Sequence, residues 1–487
     1  MSSPASIGAP RAMPSGTAPA PRASGSLPDS TGSVYRPRTA CGPSASGWAT
    51  AHVPSGRRAV RSLIYVAYFF PPTGGAGVQR TLKFARYLPE HSWRPTIVTV
   101  KESRYWMVDP TLSSEIPADL EVVRTEARTI PARLGGLARG RRGAAGAACR
   151  SGRSQRLLRR LSSIFLIPDP YVGWVPVATR AVRRAWKPGA VLMTTSSPDS
   201  AHLVGLRLSR MRIPWIADFR DPWTRRMSFR PPTPLHRRIQ HRLEERVVRA
   251  ASRIIVTSEA TARDFRERIA GIDPAKVVCI PNGWDGDDFP REVPPPDPSF
   301  LLLHMGQLNP ERGVSPLLDH LEAFFRLRPD ARARTRVELV GPRYSEDERE
   351  ARRRGFSDLV RFADPVAHRE GIKRLHEAQL LLLMEQDSDE GRLILPGKVP
   401  EYLRSGRPIL ALVPEGGAAW DLIRTSGAGA CAPPSDPERG ARALADLFAA
   451  YLAEGALRAR TDPEVVASYD RRRLARRLAD ILDEVVS

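Results

Sequence analysis

Apolar runs of strand length recur along this chain and alternate with stretches whose apolar residues repeat at helical spacing. The first is Ser62-Leu-Ile-Tyr-Val-Ala-Tyr-Phe-Phe70, followed by the turn Pro71-Pro-Thr-Gly-Gly-Ala-Gly77 and a helical pattern through Leu88. Further strands are expected at 95–100, 120–125, 190–195, 215–219, 253–258 and 277–281. The rhythm stops at the proline-rich 290–298 and resumes with strands at 300–306, 337–341, 359–363, 380–385, 408–413 and 429–432. Strands alternating with helices imply parallel sheets covered on both faces. The pattern therefore predicts an α/β protein of two doubly wound, Rossmann-like domains, 61–289 and 299–463. Residues 290–298 form the expected hinge, and a terminal helix at 464–487 is expected to brace the two domains.

Two segments break the rhythm. Residues 1–60 hold much of the excess Pro, Ser, Ala and Gly, with six Arg and the single acid Asp29, and follow neither period, so a disordered extension is expected. Such an Arg-rich, acid-poor stretch resembles a transit leader, a GC-rich reading frame or an over-long annotated start equally well. Residues 127–160 carry ten Arg and no acid, and 156–167 interleave Arg with Leu, Ile and Phe at helical spacing. That pattern fits a helix lying on an anionic membrane surface or, equally, a solvated basic insertion beside a core helix.

Composition narrows the company the protein keeps. Lys and Arg outnumber Asp and Glu by 75 to 53, and the net charge of +22 predicts anionic partners: nucleic acid, acidic lipid or phosphorylated substrates. Cys41, Cys149, Cys279 and Cys431 are far apart and lack metal-ligand spacing, which argues against a disulfide framework or a structural zinc site and fits a reducing cytoplasm. No apolar run approaches the roughly 20 residues of a spanning helix. Trp174, Trp215 and Trp223 read most simply as core.

Ligands of doubly wound domains bind beyond the carboxyl ends of the strands, so the loops there carry the candidate chemistry. Gly74-Gly-Ala-Gly77 opens a helix whose N–H groups and dipole can receive phosphate oxygens, although it lacks both the P-loop lysine and a full dinucleotide fingerprint. Gly306-Gln307 opens the corresponding loop of the second domain, where Arg312 can pair with a diphosphate. Gly397-Lys398 precedes another helix, with Glu401 one turn on to accept ribose hydroxyls.

In this order and spacing the elements resemble the family-4 glycosyltransferases, retaining enzymes of the two-domain glycosyltransferase-B fold. The matching pieces are Pro71 to Arg80 with Lys83 to Leu88, Ile216-Ala-Asp-Phe-Arg-Asp-Pro-Trp223, Val278 to Gly283, His304 to Arg312, and Pro396 to Leu403 with Gly406-Arg-Pro-Ile-Leu410. The resemblance implies two domains facing each other across a cleft. It also implies transfer of a sugar from a nucleotide-sugar donor to a lipid-linked or polysaccharide acceptor, as in cell-surface or exopolysaccharide assembly. By position, Gly75, Gly77, Gly306, Gln307, Arg312, Gly397, Lys398 and Glu401 would bind the donor, while Arg80, His202 and Asp218 would line the acceptor side. Asp218, Arg312 and Lys398 are the catalytic candidates, with no metal and no cofactor. The chain departs from the family where Leu393 replaces the first glutamate of Glu-x7-Glu, with Asp389 and Glu390 out of register, and where Gln307 replaces a basic residue. Those departures imply unusual or weak donor binding. The expected location is cytoplasmic, peripheral at the inner face of the cell membrane through 127–167. A nucleotide-sugar epimerase on the same fold and a basic nucleic-acid-binding protein are the rival readings. Against the latter, no recognition helix is visible, so no specific nucleic acid is expected.

Overall fold

The computed structural model describes residues 60–101, 108–126, 165–308 and 313–486. The first half is a seven-stranded parallel sheet. Its strands are β1 (Arg61–Ala67), β2 (Trp93–Val100), β3 (Glu121–Thr125), β4 (Val191–Thr195), β5 (Trp215–Phe219), β6 (Arg253–Val256) and β7 (Val277–Cys279), in the order β3-β2-β1-β4-β5-β6-β7. The second half is a six-stranded parallel sheet of β8 (Phe300–Met305), β9 (Thr335–Val340), β10 (Val360–Ala363), β11 (Leu380–Met384), β12 (Ile409–Leu412) and β13 (Gly429–Ala432), ordered β10-β9-β8-β11-β12-β13. In each sheet the winding reverses beside the first strand, between β1 and β4 and between β8 and β11. Loops diverge there and leave a crevice at the strand ends.

Helices cover both faces of each sheet, so the central strands are apolar throughout. β1 buries Leu63 to Ala67 without interruption, and all five residues of β11 are buried. The run expected through Phe70 stops pairing at Ala67. Tyr68 and Phe69 turn out of the sheet to pack on Trp174 (centroids 5.1 Å) and Tyr171 (5.8 Å). Trp174, Trp215 and Trp223 are buried core residues whose indole N–H groups donate to Thr125, Thr194 and Gln240 at 2.8, 2.9 and 2.7 Å.

The crossing segment 284–289 pairs with the returning chain at Trp284, whose N–H donates to the Tyr469 carbonyl while the Arg471 N–H donates to the Trp284 carbonyl, each at 3.0 Å. Residues 290–298 lie beyond this crossing and are held by the second half: the Asp297 N–H donates to the Glu377 carbonyl and the Tyr451 hydroxyl to the Pro298 carbonyl. The expected terminal helix is two helices, Pro463–Ser468 and Arg471–Val486. Asp470 interrupts it by accepting the Arg472 N–H at 2.7 Å, a side-chain cap that starts the second helix. That helix returns to the first half, burying Leu474, Leu478 and Leu482 against Leu63, Tyr65 and Leu82. The basic residues 127–160 lie outside the described residues, as does the extension before residue 60. Among the described residues no helix is long and apolar enough to cross a membrane.

Candidate active site

The two halves enclose a cleft with two adjoining chambers. The first, about 200 Å³, is bounded by Gly75 and Gln79 of the first half and by Gly306, Gly341, His368, Lys398, Glu401 and Tyr402 of the second. The other, about 410 Å³, is bounded by Gly77, Ser197, Arg220 and Asp221 on one side and by Gln307, Ile394 and Lys398 on the other. Gly75, Met305, Gly306, Gly397 and Lys398 line both, so they mark the seam where a ligand would pass from one chamber to the other.

Local sequence places these groups. Gly75 precedes helix Ala76–Tyr87 at φ 106°, a left-handed backbone that favours glycine, and turns the helix N-terminus toward the seam. Gly77 must lack a side chain, because a Cβ there would fall 0.9 Å from Arg220 Nη1. The Arg220 guanidinium is held in that space by the Ser196 and Ser197 carbonyls. Across the cleft, Gly306 and Gly341 have φ of 141° and 143°, and a Cβ on Gly341 would lie 2.2 Å from the Gly306 carbonyl oxygen. Two glycines at this contact let the loops after β8 and β9 pack directly on one another. The Met305 N–H donates to the Tyr402 hydroxyl at 2.9 Å, which ties the β8 loop to helix Val399–Ser405.

Lys398 is the N-terminal flanking residue of that helix. Its Nζ lies 3.2 Å from the ring nitrogens of buried His304, whose Nδ1 faces the Leu382 carbonyl at 3.0 Å, and 5.7 Å from the Tyr402 ring centroid. An ammonium and a helix N-terminus thus converge on the seam, a setting suited to a diphosphate. Glu401, one turn on, is 17% exposed at the first chamber, and burial raises its carboxyl above the usual range. Gly306, Gln307 and Gly397 also fall on the cleft wall. Leu393, the position of the absent glutamate, contributes instead its carbonyl, which accepts from the Ser258 and Thr261 hydroxyls at 2.5 and 3.0 Å and so joins the halves on this side. Arg312 lies outside the described residues.

The residues expected on the acceptor side are buried. Asp218 and Arg80 are both without exposed surface and form a bidentate pair, with Arg80 Nη2 2.9 Å from Oδ1 and Nε 3.2 Å from Oδ2. Thr195 Oγ1 donates to Oδ2 at 2.8 Å, and Arg80 Nη1 donates to the Pro281 carbonyl at 2.8 Å. These groups stand behind the cleft wall rather than on it. His202 is also fully buried, with Nδ1 2.8 Å from Thr194 Oγ1 and its ring 4.3 Å from that of Phe219. Burial pushes its imidazole down to about 3. His202 therefore stays neutral, and its ring NMR signals should not move between about pH 5 and about pH 8; a titration midpoint in that range would refute the buried placement. Arg220, which reaches the second chamber, is a cation that sequence reasoning did not single out. Its packing on Gly77, 143 positions away in the chain, sets its place there.

Comparison with known proteins follows the same outline. Residues 74–283 match the family described as a glycosyl transferase 4-like domain. Curated relatives include the D-inositol 3-phosphate glycosyltransferases of Kineococcus radiotolerans (27% identical, covering 31% of this chain and 38% of that protein) and Streptomyces scabiei (25% identical, 42% and 48%). The chain thus matches less than half the length of these relatives. Among solved structures, sucrose-phosphate synthase from Thermosynechococcus elongatus superposes with a TM-score of 0.55 at 16% identity, covering 87% of this chain and 98% of that one. WaaG, a glycosyltransferase involved in lipopolysaccharide biosynthesis, does so with 0.56 at 14%, covering 86% and 99%. At these identities the likeness establishes the fold.

Proposed function

We propose that this chain, which resembles the family-4 glycosyltransferases and has the glycosyltransferase-B fold, transfers a sugar with retention from a nucleotide-sugar donor to a lipid-linked or polysaccharide acceptor. The observation that carries the reading is the position of Lys398, at the seam of two chambers and at a helix N-terminus. The nucleoside occupies the first chamber with its ribose at Glu401, the diphosphate crosses the seam, and the sugar faces Arg220 in the second chamber. Departure of the diphosphate develops negative charge, which Lys398 and the N-terminus of helix Ala76–Tyr87 stabilise without a metal. The acceptor oxygen bonds to the anomeric carbon on the face the phosphate leaves. The carbon–phosphate oxygen bond breaks, and the acceptor proton passes to the departing phosphate. Arg312, which follows Gly306 in the sequence and lies outside the described residues, is the second cation this reading assigns to the diphosphate. The net charge of +22 favours work beside an anionic membrane face.

A thermal-shift panel of UDP, GDP, ADP, dTDP and CMP in EDTA tests the donor site. One nucleotide should raise the melting temperature, since a ligand at about 100 times its Kd stabilises by about 2.7 kcal/mol. Product analysis should then show a glycoside that keeps the donor's anomeric configuration. No shift with any of the five, or a free epimerised sugar nucleotide as product, would overturn the proposal.

A further inference from the structure

Glu401 is one end of a chain of charges that runs through both halves. His368, first residue of helix His368–Glu377, places Nε2 3.6 Å from Glu401 Oε1 and 3.4 Å from Asp288 Oδ2. Asp288 Oδ1 lies 2.9 Å from Lys83 Nζ, which also meets Asp285 at 2.7 Å and Glu115 at 2.9 Å. Lys83 belongs to helix Ala76–Tyr87 of the first half, Asp285 and Asp288 to the crossing segment just after Trp284, and His368 and Glu401 to the second half. His368 makes one more contact with the first half, where its backbone N–H donates to Asp109 Oδ2 at 3.3 Å. Of these ion-paired side chains only His368 and Glu401 line the first chamber.

We infer that His368 is a positioning residue for Glu401, and that through Asp288 it couples recognition of a ribose hydroxyl to closure of the two halves; this rests on the donor-site reading above. Asp288 and Glu401 are both acidic and approach the same point. With a cation between them each carboxylate has a fixed partner, and without it they repel and Glu401 loses its orientation. Asp288 is in turn anchored by Lys83, so the His368 contact exists only while the first half is docked. Opening the cleft parts His368 from Asp288 and Asp109 together, which leaves Glu401 unheld in the open state.

The clamp requires the imidazolium form of His368, which the two facing carboxylates favour. Burial disfavours it, but Glu401 and Asp288 outweigh burial and hold His368 above the ordinary imidazole value. The charged groups around it are Asp285 and Asp288 of the crossing segment, Lys83 of the first helix, Asp109 of its loop, Glu401 of helix Val399–Ser405, Arg471 of the last helix, and Arg369 and Glu370 on its own helix. A raised value means that the clamp is complete below the ordinary imidazole range and is lost as pH rises through the raised one.

The test is calorimetric titration of the full chain with UDP, GDP and ADP and with their 2′-deoxy counterparts. Wild type should prefer the ribonucleotide by about tenfold at neutral pH, the worth of a hydrogen bond to a charged group, and this preference should decline at alkaline pH. His368→Gln should bring the preference to within about threefold at every pH while still binding the deoxynucleotide. Asp288→Asn, which leaves the chamber lining intact, should move the decline to lower pH. Wild-type ribose preference persisting in His368→Gln would overturn the inference and leave the donor site standing. Failure of wild type to bind any of these, or dTDP or CMP, would overturn both. Should His368→Gln not fold, an unshifted pH profile in Asp288→Asn is the overturning result.

Discussion

Lys398→Ala should lower kcat/KM by about 10²–10³-fold, the usual cost of removing one preorganised group from developing transition-state charge. The loss should fall mainly on kcat, because the bond to the leaving diphosphate adds negative charge only as it breaks. Geometry also predicts that Lys398→Arg restores little. The ammonium lies 3.2 Å from the ring nitrogens of His304, and even a methyl on Gly306 would come within 3.2 Å of Nζ. A planar guanidinium has no room there without displacing the β8 loop, which is fixed by its contact with Gly341. Steady-state kinetics with the donor named by the nucleotide panel would read this out. Activity of Lys398→Ala within about threefold of wild type would remove Lys398 from the chemistry.

The parts of this fold that could be read from the chain are those where a local pattern has a single structural solution. Buried parallel strands demand continuous apolar runs, so Leu380 to Met384 and Leu63 to Ala67 announce themselves without tertiary information. The seam residues were legible for a similar reason: a doubly wound sheet puts its ligand at the loops after β1 and β8, and glycines there mark close approach. The pairing of the two crossing segments was not legible. Proline content drew attention to 290–298, while the backbone hydrogen bonds from Trp284 to residues some 185 positions later leave no local mark. His368 gave no signal either, since its meaning depends on Asp288 and Glu401 arriving from two other elements. Strand-end position marked Asp218 but could not say which way its side chain points. In the sheet it pairs in register with Thr195, whose hydroxyl takes one of its oxygens.

That direction sets a second large effect, on stability rather than on catalysis. Asp218 and Arg80 are a buried, bidentate pair with no exposed surface, and their remaining hydrogen bonds go to Thr195 and to the Pro281 carbonyl. Removing either partner strands the other charge in a site that water cannot reach, a cost of about 3–5 kcal/mol. Asp218→Ala and Arg80→Ala should therefore each lower the urea midpoint sharply or give insoluble protein. The joint replacement Arg80→Met with Asp218→Leu removes both charges and keeps apolar volume, so it should recover a substantial part of the loss, a coupling that a double-mutant cycle measures directly. An acceptor-contacting aspartate would behave in the opposite way. Asp218→Ala would then fold as well as wild type and lose turnover, and the joint replacement would gain nothing over it. Denaturation and activity measured on the same three proteins separate the two cases, because the buried pair requires stability to move first and activity only as far as folded protein is lost.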